Sequence, residues 1–229
     1  TLVIQNCDSL IHIMLTQLAN PGAPVIYGSV ATSVNMHDVG YLGAPVESGM
    51  INAASAQLAR HYHFPYYSTA GISDSKTLDS QCGYESCLNN LLVGIAGGDF
   101  IHDAAGLMEF AMTVSKEKLV IDNDIIGMVK RAVAGIEVND KTLAFDTIKQ
   151  VGPGGNFVAA RHTRRHFNKE HYLPKITSRE RRDVWEQNGS NTIDSIAHSK
   201  VKEILSEPPK VYLDDASAKK IKNRFPEIR

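Results

Sequence analysis

No stretch of the 229-residue chain approaches eighteen uninterrupted apolar residues, so no membrane-spanning helix is expected. A basic-then-apolar leader is missing too, and the first residue is Thr1 rather than Met. The opening, "TLVIQNCDSLIHIMLTQLANPG", reads as already inside an element, and the chain is expected to be a piece whose N-terminal partner precedes it. Cysteine occurs only at Cys7, Cys82 and Cys87, an odd number that excludes a disulfide framework and suits reduced, cytoplasmic thiols. Cys82 and Cys87 are five apart in a helical pattern, share no face and lack a closely spaced His, which argues against zinc or any metal of the protein's own. The glycines of "GPGG" at 152–155 have neither Walker nor GxGxxG spacing, so they make no phosphate loop. A nucleophile elbow, a Ser-His-Asp order and a nucleic-acid module are also absent.

What is there is ordinary for a globular protein: 43% hydrophobic and 21% charged residues. The net charge of -1 hides an asymmetry, because residues 1–159 carry 8 Lys/Arg against 15 Asp/Glu and residues 160–229 carry 16 against 10. The basic tail is read as a solvated helical face, with an acidic partner as the alternative.

Along the chain, helical spacing alternates with short apolar runs. Leu10–Leu18 is helical and stops at Asn20-Pro21-Gly22. Residues 24–28 read as a short buried strand, 29–44 as a polar loop, and a helix opens at Pro45 with Glu47 beside it and runs to His61. The cycle repeats with a strand over 64–71, the loop "STAGISDSKTLDSQCGYE", and a helix from Asp79 to Ile95 closed by Gly97-Gly98. A third strand is expected over 99–105, and a helix starting near Ser115, with Glu117 as a weak capping box, runs to Gly135. Another helix is expected over 142–151. Strand–loop–helix units of this length predict a parallel sheet with right-handed crossovers, three units being part of an eight-stranded barrel. Residues 1–156 are expected to form that part, and 157–229, with the single Trp185 and "EPPK" at 207–210, a charged helical extension.

Parallel α/β folds bind ligands where strands end and helices begin. That places the candidate loops at 28–44, 70–79 and 102–114. In the second, Gly71 suits a tight bend and Asp79 a helix N-cap, which leaves Ser73, Asp74, Ser75 and Lys76, and Gln81 and Glu85 four apart on one helix face, without a structural account. His102-Asp103 ends the third strand, and alternation is expected to send His102 inward and Asp103 outward. Tyr27, Tyr66, Tyr67, Tyr84 and Phe100 lie on or near the strand ends. Such aromatics are usually core, but clustered near a carboxylate they would hold a quaternary ammonium through their ring faces. His162-Thr163 follows the glycine-rich turn.

Five segments taken together carry a resemblance: "NPGAPVIYG", "GAPVESGMINAASAQLARHYHFP", "DSKTLDSQCGYES", "DAAGLMEFAMTVSKEKLVIDNDI" and "VGPGGNFVAARHT". In order and spacing they resemble the trimethylamine methyltransferase (MttB) superfamily, over essentially the whole chain and in the family's C-terminal half. The resemblance implies an α/β fold, a (β/α)8 TIM barrel of which this chain is the C-terminal half, followed by the helical extension. It implies transfer of a methyl group from a methylated amine to the Co(I) of a corrinoid carried by a separate corrinoid protein. One branch of the family places pyrrolysine in the loop corresponding to residues 70–74 and acts on trimethylamine. Here Ile72 stands nearest that place, which favours the branch without pyrrolysine, acting on glycine betaine or a similar quaternary amine. A quaternary ammonium leaves as a neutral tertiary amine and needs no activation, so no general base is required. The loop Gly71, Ile72, Ser73 and Asp74 is then expected at the reacting centre, with His102, Gln81, Glu85, Tyr67, Tyr27 and His162 binding the substrate. The expected protein is a cytoplasmic homo-oligomer with no nucleic-acid or membrane partner. Alternatives are a trimethylamine:corrinoid methyltransferase, a metal-dependent barrel enzyme using Cys82, Cys87 and His102, and a non-catalytic quaternary-ammonium binding protein.

Overall fold

A computed structural model describes residues 1–208 and 210–227. Pro209, within the "EPPK" stretch, and residues 228–229 at the end of the extension lie outside the described residues.

Three strands, β1 (Tyr27–Gly28), β4 (Tyr66–Thr69) and β5 (Phe100–His102), form a parallel sheet in the order β1-β4-β5. Tyr27 pairs with Tyr66, and Tyr67, Ser68 and Thr69 pair with Phe100, Ile101 and His102. The helices α2 (Val46–His61) and α3 (Ser80–Ala96) make the crossovers, as the alternating pattern predicts. Their ends follow local chemistry. Pro45 is the extended residue before α2, one position outside the expected helix, and Glu47 and Arg60-His61 complement the helix dipole at its two ends. Asp79 caps α3 by accepting from the Cys82 amide at 3.1 Å, and Gly97 ends it in the left-handed conformation at φ 89°.

α1 (Leu2–Ala19) precedes β1, and α4 (Lys116–Val133) follows the sheet. Ser115 caps α4 through the Lys118 amide, while Glu117 accepts the Ser115 hydroxyl at 3.3 Å instead of closing a capping box. The helix expected over 142–151 is two, α5 (Asp140–Leu143) and α6 (Phe145–Val151), because Ala144 is left-handed at φ 54°. α7 (Arg161–Glu170), α8 (Arg182–Gln187), α9 (Ile193–Ser206) and α10 (Asp215–Arg224) complete the order.

The strands are shorter than the apolar runs suggest, and two of the expected loops carry hairpins of their own. β2 (Ser33–Val34) pairs with β3 (Tyr41–Leu42), and β6 (Leu107–Met108) with β7 (Thr113–Val114), both antiparallel. Their tips turn through Val39 and through Glu109, Phe110 and Ala111, all non-glycine residues at positive φ. The first tip is marked in the sequence by Asn35, Asp38 and Gly40, whereas the second holds no glycine or proline.

Two apolar clusters hold these elements together. Tyr27 and Tyr66 pack on Ala56 and Ala59 of α2, with Ile13 of α1 against them. Ile121, Ile125 and Val129, one stripe of α4 at spacings of four, pack on Ile176 and Ala197, which docks α9 and the preceding segment onto α4. Among the described residues, no helix is long and apolar enough to cross a membrane.

Candidate functional site

Successive strand residues point to opposite faces, and adjacent tyrosines show the result. Tyr66 is buried against α2, its hydroxyl donating to the Asn52 carbonyl at 2.9 Å. Tyr67 lies on the other face, stacked between Phe100 at 5.2 Å and His102 at 4.6 Å. Phe100 is 59% exposed, so this face of the sheet is open where its aromatics gather.

Asp103 completes the row. The residue follows the last strand position with φ 57°, and this left-handed turn brings its carboxylate back to 2.7 Å from Nε2 of His102. Alternation had sent Asp103 outward; it fails here because the strand ends at His102 and Asp is among the residues that tolerate the left-handed region. His102 Nδ1 lies 2.7 Å from the Ser68 carbonyl. Both partners are acceptors, and a neutral ring carries one N–H, so it donates to one of them at a time. The Thr69 hydroxyl lies 3.5 Å from the same Asp103 oxygen.

The loop after β4 is not an exposed polar turn. Ile72, Ser73, Asp74 and Ser75 are all buried. Gly71 starts the bend at φ 81°, where an added Cβ would come within 2.3 Å of the Ala104 carbonyl oxygen. Glu85 then clamps the loop: it accepts from the Ser73 hydroxyl at 2.7 Å, from the Asp74 amide at 2.8 Å, and from Gln81 at 2.9 Å. Asp74 reaches the opposite way, accepting from the Gly43 and Ala44 amides at 2.8 and 3.1 Å at the entry to α2. Burial pushes its carboxyl above the ordinary range, those two amides opposing and nearby Glu85 adding to it. Ile72 packs toward Gly43, where a Cβ would meet its Cγ2 at 2.8 Å.

The loop after β5 lies across the same segment. Ser73 donates its amide to the Leu107 carbonyl at 3.1 Å, and the Glu109 amide donates to Ser75 at 3.1 Å. Lys76 donates to the Asp74 carbonyl and lies 4.1 Å above the Phe110 ring. Beneath both loops, Lys118 and Asp122 of α4 are buried, 2.5 Å apart. Both stand in the apolar stripe of their helix with Ile125 and Val129, a signal that was legible as charge at core spacing.

Not all the expected residues meet. Gly71, Ile72, Ser73, Asp74, Gln81 and Glu85 form one cluster, and Tyr67 and His102 a second on the open sheet face. Gln81 and Glu85 spend their polar groups on each other and on the loop. Tyr27 is wholly buried on the helix side, its hydroxyl donating to Asn6 at 2.9 Å. His162 is on α7, 2.8 Å from the Lys141 carbonyl and stacked on His166 at 4.3 Å, among residues of α5 and α7. Cys87 packs in the α4 cluster, and Cys82 is buried beside Lys118, where burial pushes its thiol up and Lys118 draws it down.

Comparison with known proteins completes these observations. The family model described as trimethylamine methyltransferase (MTTB) matches residues 1–226. Over 207 residues the chain is 38% identical to a protein named glycine betaine methyltransferase from Desulfitobacterium hafniense (strain Y51), covering 90% of this chain and 43% of that one. It is 41% identical over 206 residues to a trimethylamine methyltransferase MttB from Methanosarcina thermophila, covering 90% of this chain and 42% of the relative. A trimethylamine methyltransferase MttB2 from Methanosarcina mazei is 42% identical over 206 residues, with 41% of its length covered. The chain spans about two fifths of the length of these curated relatives.

Proposed function

The chain belongs to the trimethylamine methyltransferase family, and from that premise we propose that it forms part of a methyltransferase moving a methyl group from a quaternary amine of the glycine betaine type to a corrinoid on a partner protein. The observation that carries the substrate class is the row Phe100–Tyr67–His102 closed by the Asp103 carboxylate. Ring faces attract a cation, and a carboxylate at the end of the row adds a directed field, while offering no base the reaction would need. The reaction is a displacement at carbon: Co(I) of the carrier supplies the electron pair, the methyl–cobalt bond forms, the methyl–nitrogen bond breaks, and a neutral tertiary amine leaves. The protein's task is to orient the ammonium and keep water from it.

Sequence identity does not choose between the two named substrates of the relatives, which match almost equally well. Ile72 does. Its side chain is a hydrocarbon packed toward Gly43, with no group able to activate a tertiary amine. The three parallel strands fit a segment of a TIM barrel, residues 1–156 supplying it and 157–229 the helical extension.

The full chain incubated with reduced corrinoid protein is expected to give the methyl-Co(III) spectrum with glycine betaine and not with trimethylamine. The opposite preference would overturn the argument from Ile72. Phe100→Ala is expected to raise KM for glycine betaine roughly tenfold by removing one ring face, with little loss of stability because the side chain is already mostly exposed.

A further inference from the structure

We propose that the buried Lys118–Asp122 pair positions the two site loops, holding the turns at Gly71 and Gly106 where the methyl-transfer site needs them. This rests on the reading of the strand ends as that site. The ammonium of Lys118 spends its three protons on the Gly71 carbonyl at 2.8 Å, the Ser86 hydroxyl at 3.3 Å and Asp122 Oδ2 at 2.5 Å. Asp122 accepts from Ser86 at 2.7 Å through Oδ1 and from the Gly106 amide at 2.7 Å through Oδ2. The network is complete, with no donor left over.

Its two outward bonds go to one kind of target. Gly71 lies two residues past β4 and Gly106 four past β5, at φ 81° and 88°, a conformation that favours glycine. A Cβ at Gly71 would meet the Ala104 carbonyl oxygen at 2.3 Å, and one at Gly106 would meet Leu119 Cγ at 2.7 Å. Glycine turns are the most yielding points of a chain. One residue beyond each lies a reactive-face element: Ile72 after the first, strand β6 after the second. The ion pair thus roots both loops in one helix, and the Ser73–Leu107 and Glu109–Ser75 bonds join them above it. Packing alone does not call for charge here, since well-packed hydrophobic residues of similar volume often replace a buried ion pair without loss of stability. They would not reach the two backbone groups.

The test compares the full chain with the double variant Lys118→Met/Asp122→Leu and with Asp122→Asn. The double variant keeps the volume and removes both charges but strands the Gly71 carbonyl, the Gly106 amide and the Ser86 hydroxyl, so its Tm is expected to fall by about 10 °C. Amide exchange at residues 72–75 and 106–109 should quicken by at least about tenfold while β4 stays protected. With glycine betaine and reduced corrinoid protein, kcat should fall roughly 100-fold at nearly constant KM. Asp122→Asn should fall between parent and double variant in both readouts, and it decides the matter if the double variant does not fold. A folded variant with parental exchange in both loops overturns the proposal. So does faster exchange with kcat unchanged, or a loss confined to KM. If the parent transfers no methyl group from glycine betaine, the proposed function falls, and the exchange data alone decide whether the pair pins the loops.

Discussion

Asp74, in the strand-end loops, and Asp124, on the side of α4 that receives the C-terminal segment, use a buried carboxylate for the same task. Each holds backbone amides of a distant segment. Asp74 accepts from two, those of Gly43 and Ala44. Asp124 accepts from three, Lys175, Ile176 and Thr177 at 2.9–3.1 Å, and from the hydroxyls of Thr177 and Tyr172 at 3.3 Å. Burial pushes both carboxyls up. At Asp124 the larger set of donors outweighs it and the carboxyl ends below its ordinary range, while at Asp74 burial wins, helped by Glu85. The balance of burial, N–H donors and a neighbouring carboxylate therefore separates the two anchors.

The largest effect expected from this contrast is Asp124→Ala, which leaves three amides without their acceptor, that of Ile176 buried, and should cost about 3 kcal/mol in urea unfolding. A loss under about 1 kcal/mol would mean that the 172–177 segment is not anchored there at all. Of similar size is Gly71→Ala, on the loop side. A positive φ and the close Ala104 carbonyl should together cost about 3 kcal/mol, and a near-neutral result would show the loop free to shift.

The smallest effect is the sharpest. The stability contributed by Asp124 is fully present above the unfolded-state value of about 3.9 and is lost as pH falls through its lower folded value. Asp74 has the opposite sign: its folded carboxyl binds a proton more readily than the unfolded one, so stability is lost as pH rises from about 3.9 through its raised value. On acidification the advantage of the parent over Asp74→Asn should therefore grow as pH falls through the raised value toward about 3.9, while its advantage over Asp124→Asn should shrink as pH falls below about 3.9. Urea midpoints between pH 3 and 7 measure both curves, and slopes of the same sign would break the comparison.

Local signals carried much of the architecture. Asp79, Ser115 and Gly97 ended their helices as their types suggest, and the alternation of strands and helices foretold the parallel sheet. The strands were overread because apolar residues such as Phe64 and Ala105 lie beyond the hydrogen-bonded ladder. The second hairpin was not legible because its tip turns through Glu109, Phe110 and Ala111 at positive φ, residues that carry no turn preference of that kind, while the first was signalled by Asn35, Asp38 and Gly40 inside what was read as a polar loop. Tyr27 was placed with the ligand aromatics from its strand-end position, but its register opposite Tyr66 turns it to the helix side.

The sequence by itself determined the ends of α3, the start of α4, the parallel sheet and the family, because caps, periodicity and spaced segments are local and add up along the chain. Tertiary structure alone decided which polar residues are free. Glu85, Asp74 and Lys118 look available in the sequence, yet each is spent on backbone groups 11 to 47 residues away. Asp103, expected to face outward, returns to the open sheet face through a single left-handed turn. A hydrogen bond to a distant carbonyl or amide leaves no mark in the neighbouring letters, because every residue but proline offers both groups.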